Sequence, residues 1–178
     1  MTSPFKLLDA YTAADRDQFF GREEEEAALY DMVAKNRLIL IYGQSGTGKT
    51  SLVQCGLAAH FDVTDWYPLN IRRQVDLNDT LYRRLVQASG VAAGQAVVAM
   101  LDMLYATYLR PAYLIFDQLE ELFILGTVAE QEAFAETIRS ILQSTVPCRL
   151  LFVIREEYLA CLYAFERTVP TLFDRRLR

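Results

Sequence analysis

The chain has one histidine, one tryptophan and three cysteines in 178 residues, and its basic residues do not outnumber its acidic ones. Each shortage excludes a class of function. Cys55, Cys148 and Cys161 are odd in number, widely spaced and set in apolar periodic segments, so they form neither a metal motif nor a disulfide framework. A reduced, cytoplasmic setting follows. The lone His60 reads as a surface histidine near a helix carboxyl end. A formal charge of −5 and a pI near 5.0 argue against a general nucleic-acid binder, which concentrates lysine and arginine. The doublets Arg72-Arg73, Arg83-Arg84 and Arg175-Arg176 read as solvated surface, and Trp66 and the tyrosines as core or edge packing. No apolar run approaches transmembrane length, and no charged start precedes an apolar core at the N-terminus, so nothing directs the chain to export or to a membrane.

What is present is apolar material and one strong motif. At 52% hydrophobic content the chain can bury a sizeable core as one globular domain. Gly43-Gln44-Ser45-Gly46-Thr47-Gly48-Lys49-Thr50, with Ser51 after it, fits the phosphate-loop pattern G-x-x-x-x-G-K-[ST]. Before it, Leu38-Ile39-Leu40-Ile41-Tyr42 reads as a buried strand. After it, Leu52, Val53 and Leu57 recur at helical spacing. Strand, glycine loop and helix together aim backbone N–H groups at one point, which is what holding a polyphosphate requires. Lys49 would reach the β and γ phosphates, and the Thr50 hydroxyl would ligate Mg²⁺.

Further strands are expected at Trp66 to Ile71, where Pro68 favours a sheet edge, at Ala112 to Phe116, and at Cys148 to Ile154. Helices are expected at Asp76 to Ser89, Gln95 to Leu109 and Ala129 to Ser144. Another opens with the acidic run Glu23 to Glu26, which reads as a solvated first turn at the positive end of the helix. Alternation of strands and helices predicts an α/β fold with a mostly parallel sheet flanked by helices. Asp117 ends the third strand, where an acid can meet the phosphate loop and take the Walker B position on Mg²⁺. A whole strand with its helices separates loop and acid in sequence, which resembles the additional-strand ATPase branch of the P-loop NTPases. No Asn-Lys-x-Asp segment exists to read guanine, and Asp117 does not open an Asp-x-x-Gly pattern, so adenine is the expected base.

Five blocks together carry a family resemblance: Phe19 to Glu23, Gly43 to Thr50, Leu52 to Leu57, Ile115 to Phe123 and Val153 to Leu159. They resemble the novel STAND ATPases, signal-transduction ATPases related to AAA+ proteins. The resemblance implies a nucleotide switch in which ADP holds a resting monomer and ATP supports self-association, in bacteria often serving defence against phage. It implies that Phe20, Gly21 and Arg22 border the adenine, and that Arg155 is a sensor arginine on the γ phosphate. It leaves the trigger ligand and the effector open. Residues 1–35 would form an N-terminal segment and helix bordering the adenine, and 36–178 the ATPase core. By the resemblance, a fifth strand and a winged-helix region belong beyond the end of the chain.

The group that handles the attacking water stays open. AAA+ relatives carry a glutamate directly after the Walker B acid, whereas this chain has Gln118 there and Glu120 and Glu121 further on. Either glutamate could act as base, or both could populate a helix start. Gln118 could instead orient the water. The alternatives to a slowly hydrolysing switch are a nucleotide-binding scaffold without significant turnover and, more distantly, an initiator-like AAA+ ATPase acting on DNA.

Overall fold

A computed structural model describes residues 10–62 and 64–178. Residues 1–9 of the expected N-terminal segment lie outside it. Among the described residues, five strands form one parallel sheet in the order β2-β3-β4-β1-β5: β1 Leu38–Gly43, β2 Tyr67–Ile71, β3 Ala112–Phe116, β4 Cys148–Arg155 and β5 Arg176–Leu177. β4 is thus inserted between the loop strand β1 and the acid strand β3. The three central strands are near-continuous apolar runs because helices cover both of their faces. Pro68 does lie on an edge strand, β2, which among the described residues pairs on one side only, with β3.

Side chains alternate across the sheet with the two-residue period of a strand. Leu38, Leu40, Leu114, Phe116, Leu150, Phe152 and Ile154 face one cluster, packed under α3 Leu77–Ser89, α4 Val97–Tyr108, the short α5 Glu121–Ile124 and α6 Val128–Gln143. Ile39, Ile41, Tyr113, Ile115, Leu151 and Val153 face the other, under α1 Glu23–Lys35 and the helix that follows the glycine loop. Two helix starts are fixed by side-chain caps: Asp76 accepts from the Asp79 N–H at 2.9 Å and Thr127 from the Glu130 N–H at 3.2 Å. Arg37, just before β1, donates to the carbonyls of Ile141, Leu142, Ser144 and Val146, tying the carboxyl end of α6 to the base of the loop strand.

Three departures from the sequence reading have physical causes. First, Glu26 is not in a solvated turn: it is 1% exposed, with Arg16 at 2.8 Å and His60 at 3.4 Å. Second, the doublet Arg72-Arg73 is not simply surface, since the Arg73 side chain is 9% exposed and forms a two-pronged pair with Glu130. Third, a fifth strand lies within the chain, where Arg176 and Leu177 pair in parallel with Leu40 and Ile41. Two residues among arginines carry no periodicity that could announce it.

The helix after the loop, α2, is also less regular than its apolar spacing suggests. It begins as an α-helix at Lys49–Ser51, widens to a π-turn over Leu52–Gly56 and tightens to 3-10 geometry over Leu57–His60. Gly56 permits the close approach of α1 there. A Cβ at that position would lie 2.8 Å from Glu26 Cγ and 3.1 Å from the Phe19 ring.

Candidate nucleotide-binding site

The carboxyl ends of β1, β2, β3 and β4 open on one cavity of about 830 Å³. Its floor is the glycine loop between β1 and α2. Gly46 and Gly48 have φ of +78° and +75°, left-handed values that turn the loop's backbone back on itself, and Gly48 caps α2. Lys49 Nζ donates to the carbonyls of Gly43 and Gln44 at 2.9 and 2.7 Å, closing the loop over its own lysine. Burial pushes the Lys49 ammonium below its ordinary value, opposed by the charges of Glu120 and Glu157. Thr47 Oγ1 donates to Gln44 O at 3.0 Å, so the loop is braced across its width. Ser51 is buried, and its hydroxyl accepts the Tyr11 N–H at 3.0 Å.

Loop and acid meet directly. Thr50 Oγ1 donates to Asp117 Oδ1 at 2.9 Å across 67 positions of sequence. Burial raises the Asp117 carboxyl above the ordinary aspartate value, opposed in order by the Thr50 hydroxyl, the Gln118 N–H, and the charges of Arg72 and Lys49. Gln118 lines the cavity at φ +54°, a left-handed backbone that places its N–H 3.1 Å from Asp117 Oδ1. Glu120 is buried and pairs through Oε1 with Arg155 Nε at 3.0 Å, while Oε2 accepts the Arg155 N–H at 3.3 Å. Glu121 pairs with Arg72 at 2.9 Å. Both glutamates are therefore engaged with arginines from neighbouring strands.

A hydroxyl and a carboxylate are hard oxygen donors, and a carboxylate whose charge is disfavoured by burial gains from a cation, so Thr50 and Asp117 fit Mg²⁺. Among the described residues no cluster of three or more histidine, cysteine, aspartate or glutamate side chains could hold a metal. The raised Asp117 value has a consequence for stability. Between the ordinary aspartate value and the raised one, the folded chain binds more protons than the unfolded chain, so stability falls as pH rises through that window. Asp117→Asn, which keeps an acceptor for Thr50, should melt higher than wild type at neutral pH, with the gap closing in acid. Thermal melts across pH check this, and equal melting temperatures at neutral pH would contradict it.

Of the three residues expected to border adenine, Arg22 contacts the loop. Arg22 donates to Thr47 O at 2.7 Å and pairs with Glu25, Gly21 turns at φ +81°, and Phe20 is 71% exposed. None of these three lines the cavity, whereas Ala10 and Tyr11 do. Sequence reading also missed the wall at the end of β2, which includes Asn70, Arg72, Arg73 and Gln74. The rule that singled out Asp117 at the carboxyl end of β3 applies equally to the residues after Ile71.

Solved structures share this architecture. The ORC2 protein of Aeropyrum pernix, in ADPNP-ADP complexes, superposes with a TM-score of 0.68 at 16% identity, over 99% of this chain and 50% of that one. Its ADP form gives 0.61 at 15% identity, over 98% and 50%. The Walker-type ATPase PABY2304 of Pyrococcus abyssi gives 0.59 at 17% identity, over 97% and 53%. The chain thus spans about half the length of these structures. No curated protein sequence matches it. With the phosphate loop, the strand-end acid and the inserted β4 in one site, and with the Novel STAND NTPase 1 model matching residues 4–177, the chain belongs to that family of P-loop NTPases.

Proposed function

We propose that this site binds ATP and ADP with Mg²⁺, hydrolyses ATP slowly, and serves as the nucleotide switch of a signalling ATPase. The observation that carries the reading is the 2.9 Å contact between Thr50 and Asp117, which joins the two motif residues in the lining of one cavity. In this reading the loop amides and Lys49 hold the β and γ phosphates. A Mg²⁺ ion in this site would offset the negative charge of the phosphates. Thr50 and Asp117 hold that ion. Adenine is the base, since no guanine-reading Asn-Lys-x-Asp segment is present. Nucleotide complexes named for the ORC2 structures lend the site's ligand class further support.

Turnover is slow because the position after the acid carries Gln118 rather than a glutamate, and because Glu120 is committed to Arg155. Gln118 is the group best placed to orient water: it lines the cavity next to Asp117 and holds a backbone conformation that costs on the order of 1–3 kcal/mol in a residue other than glycine. An arginine supplied by a neighbouring copy can add about 10³ to 10⁵ in rate, which suits self-association of the intact switch. By the family resemblance the setting is cytoplasmic signalling, with defence against phage as one outlet.

Arg155 tests the switch. It stands opposite Gly43 in the β1–β4 register, beside the start of the phosphate loop, with its head group held by Glu120. Arg155→Ala should weaken ATP by about tenfold, the scale of one charge-assisted hydrogen bond, and ADP by much less. Binding of fluorescent analogues of both nucleotides measures the difference. Equal losses would make Arg155 a structural ion-pair partner, and no phosphate release at any protein concentration would turn the reading toward a nucleotide-binding scaffold.

A further inference from the structure

The cavity has a third wall besides the glycine loop and the acid strand. Its position is set by sheet register. Ile71 lies opposite Phe116, and its carbonyl accepts the Asp117 N–H at 3.0 Å, so Arg72 leaves the end of β2 directly beside the acid. On the other side of β3, Arg155 leaves the end of β4. An arginine thus leaves the end of each strand that neighbours β3, and both line the cavity. Each is held by one of two consecutive glutamates, Arg155 by Glu120 and Arg72 by Glu121.

The two anchors are unequal. Glu120 is buried and binds both the side chain and the backbone N–H of Arg155. The Arg72–Glu121 pair is a single contact at 2.9 Å whose side chains are 59% and 21% exposed. Such an exposed pair is weak, so little holds Arg72 against a better anion. A terminal phosphate is that better anion: it carries more charge than one carboxylate and offers a guanidinium fork two oxygens at once. The positive charge of Arg72 also offsets part of the upward push that burial gives the Asp117 carboxyl, which fits their close placement.

We propose that Arg72 is a phosphate-contacting residue of this site, leaving Glu121 for the terminal phosphate of a bound nucleoside triphosphate, and that Glu121 is a positioning carboxylate which holds Arg72 back when only a diphosphate is present. The inference rests on the nucleotide reading above. It gives the cavity a second sensor, on the strand opposite Arg155. It also removes Glu121 from the candidates for water activation.

Opposite signs distinguish this from a merely structural ion pair. Removing either half of a structural pair would cost a little stability and leave nucleotide affinity alone. Here Arg72→Ala should weaken ATP about tenfold and ADP less than about twofold, the loss of one charged hydrogen bond to the terminal phosphate. Arg72→Lys, which keeps the charge without the fork, should fall between. Glu121→Gln, which frees Arg72, should tighten ATP by about threefold, the worth of an exposed ion pair.

The test titrates wild type, these three variants and Lys49→Ala with fluorescent analogues of ATP and ADP in Mg²⁺, with a thermal melt of each. If Arg72→Ala melts well below wild type, the Arg72→Lys and Glu121→Gln results decide. Wild-type ATP affinity in Arg72→Ala beside a loss in Lys49→Ala would overturn the Arg72 assignment and leave the nucleotide reading standing. Losses of the same sign in Arg72→Ala and Glu121→Gln would also overturn it. Failure of folded wild type to bind either analogue would overturn both.

Discussion

Lys49→Ala will lose most of the rise in melting temperature that saturating ATP or ADP with Mg²⁺ gives the wild-type chain. A ligand at a hundred times its dissociation constant stabilises the folded state by about 2.7 kcal/mol. For a chain of this length that is a shift of roughly 5–10 °C, at about 2–4 °C per kcal/mol. Lys49 contributes in two ways. In the proposed reading its ammonium meets the phosphates that the loop amides would bind, and it bonds the Gly43 and Gln44 carbonyls, which shapes the loop those amides belong to. Removing it should leave the fold intact, because burial already disfavours its charge. Differential scanning fluorimetry with and without nucleotide reads the outcome, and a full shift in Lys49→Ala would show that the loop does not hold the phosphates through its lysine.

The second large effect lies outside the loop and concerns stability. Glu130→Ala should cost about 3–5 kcal/mol, the usual penalty for leaving one partner of a buried ion pair uncompensated. Glu130 takes Arg73 through both oxygens at 2.9 Å, and its Oε1 also accepts the Leu77 N–H at 2.8 Å. The side chains of Arg73 and Glu130 are 9% and 5% exposed. This one carboxylate therefore joins α6, the start of α3 and the end of β2, where Arg72 enters the cavity. Against a typical total of about 5–15 kcal/mol, such a loss brings the chain close to unfolding.

The pH dependence of this pair is equally definite. The Arg73 guanidinium holds the Glu130 carboxyl below the ordinary glutamate value. A depressed acid contributes stability that is present above its unfolded value and lost as pH falls through the folded one. Urea unfolding of wild type and Glu130→Gln should therefore differ clearly at neutral pH and converge in acid. A Glu130→Ala cost under about 1 kcal/mol, the scale of an exposed pair, would show that the contact is not buried in solution.

What the sequence disclosed follows from where physical signals are strong. β1, β3 and β4 are buried on both faces, so their apolar runs stand out against the turns that bound them, and the glycine loop announces its own backbone. Asp117 was legible because a strand end is a definite position. Glu26 was not, because reading Glu23 to Glu26 as a solvated turn obscured a longer periodicity, and Glu130 was passed over because the helix at Ala129 to Ser144 was read from its apolar residues. Glu26 shares the buried face of α1 with Leu29 and Val33, and Glu130 shares that of α6 with Phe134, Ile138 and Ile141. A carboxylate on an apolar helical stripe signals a buried ion pair, yet its partner is set by the fold: Arg16 for Glu26, Arg73 for Glu130. The engagement of Glu120 and Glu121 with Arg155 and Arg72 was hidden for the same reason, since strand order decides which arginines leave the strands beside β3.

The most direct test of the central claim is equilibrium competition at the cavity of the wild-type chain. A fluorescent ATP analogue with Mg²⁺ should bind saturably, be displaced by unlabelled ATP and ADP, and resist GTP at concentrations where ATP displaces fully. Folded protein that fails to bind the analogue, or that releases it equally to GTP, would contradict an adenine-nucleotide site built on Lys49, Thr50 and Asp117.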